Sequence, residues 1–121
     1  MIVNKLSCVV LAFWCASVLG GCAALASEEA VVACQVADTA TTLHAVDLGA
    51  REANPVVDFI LKTYGPGGFI AAKIAVTLLF LLVYPDLSSG AVILVNGVTC
   101  GVAAHNALVA AELKGRVQVS E

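Results

Sequence analysis

Side chains able to do chemistry are few in this chain, and nearly all of them interrupt apolar runs. Asp38, His44, Asp47 and Glu52 fall in or just after one such run, Lys73 stands alone in the next, and Asn96, His105 and Asn106 punctuate the last. Three kinds of chemistry could use them. A carboxylate facing a lysine can form a buried ion pair, and the same two groups along a wet path can carry a proton or an ion. Histidines gathered with carboxylates could instead hold a metal or exchange protons as acid and base. The spacing speaks against this third use, because His44 and His105 belong to different segments and no H-E-x-x-H pair, nucleophile elbow or phosphate-binding glycine loop occurs. Neither an enzyme nor a bound metal or other cofactor is expected. The five cysteines make an odd set without a C-x-x-C pair, so no disulfide framework or zinc site is expected either. Cys8, Cys15 and Cys22, spaced by seven, are read as small apolar fillers on one helical stripe.

The elements that must position these groups follow from composition. Of 121 residues, 60% are hydrophobic and 12% charged, against about half and about a quarter in an ordinary soluble domain. In water a single small domain of this kind would expose large apolar patches, and lipid removes that difficulty. The net charge of -3 and the six scattered Lys and Arg lack the basic footprint of nucleic-acid binding, so membrane lipids are the expected partners and nucleic acid is not.

Crossing the hydrocarbon core takes roughly 20 residues of helix, and four stretches approach that length. They are Leu6 to Ala26; residues 30–50, the least apolar of the four; residues 67–84, bounded by Pro66 and Pro85; and residues 91–113. Residues 56–64 suit a short helix lying at the interface. The expected fold is all-α: a small transmembrane bundle of three core helices within residues 27–113, preceded by a signal or membrane helix in residues 1–26 and followed by a cytoplasmic tail over 114–121.

Charge placement orients the bundle, since loops on the cytoplasmic side carry the excess of Lys and Arg. With the N-terminus inside, Lys5, Arg51, Lys62, Lys114 and Arg116 all lie inside, while Glu28, Glu29 and Asp86 lie outside. This predicts a multi-pass protein of a bacterial inner membrane with a cytoplasmic C-terminus. The first segment has other readings that keep this orientation. Lys5 followed by an apolar run and Ala24-Leu25-Ala26 has the layout of a cleaved secretory signal, and Leu19-Gly20-Gly21-Cys22 resembles a lipobox, which would make Cys22 a lipidation site.

Polar side chains within a bilayer are costly and normally face a partner or a wet cavity. At about 100° per residue, Asp38, Thr41, Thr42, Ala45, Gly49 and Glu52 share one helical face, with His44 to its side, and Glu52-Ala53-Asn54-Pro55 is read as the stop of that helix. Depth arithmetic puts His44, Lys73 and the His105-Asn106 pair in one layer about 10 Å from the inner side, with Asp38 deeper and Asn96 nearer the outer surface. Lys73 needs an acceptor. Asp38 and Glu52 are both within reach, and Asp38 is favoured because Glu52 can meet interfacial water. In the last segment Gly97 and Gly101 form G-x-x-x-G, a close-packing strip through which copies could associate.

The pattern of Asp38 and Thr42 on a membrane helix, then Gly49, Glu52-x-Asn54-Pro55, Lys73 in the next helix and Asn96 or Asn106 in the last resembles the bacterial membrane proteins of domain-of-unknown-function family 5658. The resemblance covers about residues 30–113 and implies a membrane fold without implying an activity. The residues themselves favour a structural or assembly role with a buried Asp/Lys ion pair. The alternative is an oligomeric proton or ion conductor using Asp38, Glu52 and Lys73, since one small bundle has little room for a pore.

Overall fold

A computed structural model describes residues 23–119. Its helices are α1 (Glu28–Asp47), α2 (Pro55–Val83) and α3 (Ser89–Val119), with a 3-10 turn at Tyr84–Asp86 between the last two and no strand among the described residues. The fold is an all-α helical bundle. The first segment, including Cys8, Cys15 and the lipidation candidate Cys22, lies outside the described residues apart from its last few positions.

Each helix start has a side-chain cap. The Ser27 hydroxyl accepts from the Ala30 amide, and Glu28 and Glu29 place negative charge in the first turn of α1, where it complements the helix dipole. Asn54 Oδ1 accepts from the amides of Val56 and Val57, Pro55 supplies a pre-set first helical residue, and Glu52 Oε1 accepts from the Asn54 amide. Ser88 Oγ accepts from the Ala91 amide at the head of α3. The Glu52 to Pro55 run therefore starts α2 instead of stopping α1. The stop lies earlier, at Leu48 to Ala50, where Gly49 turns left-handed (φ 92°). There the Gly49 amide donates to the Val46 carbonyl and the Ala50 amide to the Ala45 carbonyl, closing a Schellman motif.

Because α1 ends at Asp47, Gly49 and Glu52 do not continue its polar face as expected from helical periodicity. Residues 56–64 and 67–83 lie within one element, which breaks at Gly65 (φ 69°, ψ −172°) just before Pro66, and Tyr84 begins the 3-10 turn. α3 runs to Val119, so most of the expected tail over 114–121 is helical.

Side-chain bonds fix the helix directions. Thr42 meets Asn106 and the Leu25 carbonyl meets Asn96, so α1 and α3 run parallel; Lys73 meets Asp38 and Tyr84 meets the Ala26 carbonyl, so α2 runs antiparallel to α1. Val31, Cys34, Asp38, Thr42 and Ala45 of α1 are buried, as are Val92, Asn96, Ala103 and Ala110 of α3. The α1 set recurs every three or four residues and the α3 set every four or seven, one stripe per helix. α2 is gripped far less, with Phe69 its one buried residue.

Outward faces are apolar: Leu78, Leu79 and Leu82 on α2 and Leu94, Val98 and Leu108 on α3 are all exposed. Among the described residues, two helical stretches, Pro55–Asp86 and Ser89–Val119, are long and apolar enough to cross a membrane. Surfaces of this kind suit lipid as the solvent, where a helix satisfies its own backbone groups. Gly65 occupies a backbone region essentially reserved for glycine, so Gly65→Ala is expected to cost about 1 to 3 kcal/mol in unfolding measured in detergent. Equal stability of the two proteins would show that the break is not at Gly65.

Candidate functional site: a polar seam among apolar helices

Hydroxyls can be carried cheaply in lipid by bonding the helix's own backbone, and several here do so. Thr39, Thr41, Thr77 and Thr99 each donate to the carbonyl four residues earlier. Thr41 thereby drops out of the polar cluster expected from the sequence. What remains are groups that bond between helices.

Lys73 is the central one. Its ammonium, set on an otherwise apolar stretch of α2, donates to Asp38 Oδ2 and, at 3.1 Å, to Gln35 Oε1, both on α1. The Asp38 side chain is 10% exposed and that of Lys73 21%. The Phe69 ring lies 5.9 Å from the ammonium, at the edge of cation–π range. Glu52 is engaged at the Asn54 amide instead. Asp38 Oδ1 is buried and makes no hydrogen bond within the described residues.

Along the α1–α3 seam, Asn106 Nδ2 donates to Thr42 Oγ1 at 2.9 Å, and Asn96, 1% exposed, donates to the Leu25 carbonyl at 2.8 Å. Both asparagines thus serve helix-to-helix contacts. Cys34 and Cys100 are joined by a disulfide in the same seam, which corrects the expectation that the odd, C-x-x-C-free set of cysteines forms none. That pairing depends on the parallel register of α1 and α3 across a sequence separation of 66, and local spacing carries no trace of it.

A cleft of about 480 Å³ opens between α2 and α3, with α1 as its floor. Asp38, Thr42, Lys73 and Asn106 line its depth, and Arg51, Glu52, Asn54 and His105 line it toward the connection between α1 and α2. His44 is exposed and borders a separate groove with Ala107 and Lys114, so the layer expected from depth is divided between two faces. Among the described residues no three or more His, Cys, Asp or Glu gather as metal ligands. Gly97 and Gly101 face outward with open space beyond them.

A family model described as a domain of unknown function (DUF5658) matches residues 30–111. The chain belongs to this family. No curated protein and no solved structure matches it. In the DUF5658 region of this chain, the motif residues resolve into distinct devices. Asp38 and Lys73 join α1 to α2, Thr42 and Asn106 join α1 to α3, Gly49 closes α1, and Glu52, Asn54 and Pro55 open α2.

Sequence reading missed Gln35, Phe69 and the cysteine pair. Gln35 lies one turn before Asp38 and Phe69 one turn before Lys73, a helical adjacency that could have pointed to both.

The ion pair supports a quantitative expectation. Removing one partner of a poorly solvated pair leaves an uncompensated charge, at a cost of about 3 to 5 kcal/mol in soluble proteins. Lys73→Met should therefore destabilise strongly, Asp38→Asn should partly rescue it, and Glu52→Gln should be additive with it. The exposed Asp58–Lys62 pair, whose side chains are 36% and 75% exposed, serves as a control; breaking it should cost under about 1 kcal/mol. A double-mutant cycle on unfolding in detergent reads these values, and additivity of Lys73 with Asp38 would remove the pair from the account of stability.

Proposed function

We propose that the protein is a structural or assembly element of a bacterial inner membrane, without catalysis of its own. The observation that supports this best is the Lys73 ammonium bonded to Asp38 and Gln35: the one charge within the apolar part of α2 joins two helices. The orientation proposed has the Glu28 and Ser89 ends of the helices outside and the C-terminus in the cytoplasm. Arg51, Lys62, Lys114 and Arg116 then share the inner side. Lipids cover the outward faces, and the Gly97 to Gly101 strip would let two copies approach closely.

A second reading, charge conduction by an oligomer, draws on the cleft that reaches Asp38 and Lys73 and on the unpartnered Asp38 Oδ1. Two measurements test the proposal. Reporters fused after Glu121 and inserted between Pro85 and Gly90 should read as cytoplasmic and external respectively, and the reverse pattern would refute the orientation. In proteoliposomes the purified protein should leave an imposed proton gradient as stable as protein-free vesicles do. A leak abolished by Asp38→Asn would replace the structural reading with conduction.

A further inference from the structure

Cys34 and Cys100 are the two cysteines among the described residues, and they are bonded to each other. Cys34 follows the Ser27 cap by seven residues, about 10 Å along α1, so the bond lies nearer the Glu28 end of the bundle than the Arg51 end. Cys34 is 2% exposed and Cys100 partly exposed, so a finished seam leaves a second sulfur compound access from the Cys100 side alone. Both sulfurs are open to attack only before the α1–α3 seam closes, so the bond forms then, from a compartment that supplies an oxidant. The cytoplasm keeps thiols reduced, whereas the extracytoplasmic side of a bacterial membrane oxidises them.

We propose that Cys34 and Cys100 form a modification site, oxidised from the Glu28 side during assembly by an extracytoplasmic protein carrying a reactive disulfide. The thiolate of one cysteine attacks that disulfide, forming a mixed disulfide and releasing one catalyst thiolate. The second cysteine then attacks the sulfur of the first, forming the Cys34–Cys100 bond and expelling the other catalyst thiolate. Two electrons pass to the catalyst, which leaves as a dithiol with the two protons that the cysteines give up. The result is a covalent tie between two helices that hydrogen bonds and small apolar side chains otherwise join. This inference shares the orientation proposed above, and it can fail separately.

The experiment uses the full chain in growing cells, quenched with acid and alkylated with a mass-tagged maleimide under denaturing conditions. A Cys34→Ala/Cys100→Ala variant provides the reference for the other cysteines. The unaltered chain should match the reference before reduction and gain two tags after it. Both thiols should be taggable when a permeant dithiol is present during synthesis, and protected when it is added only afterwards. Cells lacking their extracytoplasmic thiol oxidase should accumulate the free thiols. Taggable thiols in quenched normal cells, with oxidation only after lysis, would overturn the inference, as would equal oxidation without the oxidase. Free thiols with reporters still placing the Glu28 end outside would refute the bond alone; a bond in cells with reversed reporters would refute the orientation.

Discussion

A lysine ammonium inside an apolar bundle can persist only if it is neutralised, and the position of Lys73 imposes that requirement on every neighbouring element. α1 must present a carboxylate at the depth of Lys73, which Asp38 does, with Gln35 one turn away taking a second ammonium hydrogen. α2 must run antiparallel to α1, and the short connection from Leu48 to Asn54 has to reverse the chain at one level. The Schellman stop at Gly49 and the Asn54 cap accomplish that reversal with their own backbone and side-chain bonds. A shift of either helix by one turn, about 5.4 Å, would separate the charges.

The polar groups specify and the apolar ones mostly do not. In lipid, outward-facing leucines gain little by meeting other leucines, so helix association leans on packing of small residues, on interhelical hydrogen bonds and on covalent ties. The described core fits that pattern: Ala45, Ala103 and Ala110 are buried in the seam while larger residues such as Leu78 and Leu94 face outward. Asn96, Asn106 and the disulfide supply the directional contacts along α1 and α3. α2, with Phe69 as its one buried residue, depends correspondingly more on Lys73 and on the Tyr84 hydroxyl that donates to the Ala26 carbonyl.

Much of this was legible in the sequence, and the remainder was hidden for identifiable reasons. Apolar run lengths and the bounding prolines showed the all-α class, and an isolated lysine among apolar residues announced a need for an acceptor. Periodicity misled beyond Asp47, because a wheel drawn through Gly49 and Glu52 assumes a helix that the glycine ends. Asn54-Pro55 carries the same local signal whether a helix stops before it or starts at it, and only the hydrogen bonds to Val56 and Val57 decide. Cys34 and Cys100 could not be paired without the register of two helices far apart in the chain.

The break at Gly65 also sets unequal spans. Residues 66–83 of α2 form 18 residues of helix, about 27 Å at 1.5 Å per residue. α3, with 31 residues, is about 46 Å long, against a hydrocarbon core about 30 Å thick. Side by side in one bilayer, the shorter span fits nearly upright while the longer one must tilt or project. The excess length falls on the last turns of α3, where Glu112, Lys114 and Arg116 suit the polar region beyond the hydrocarbon.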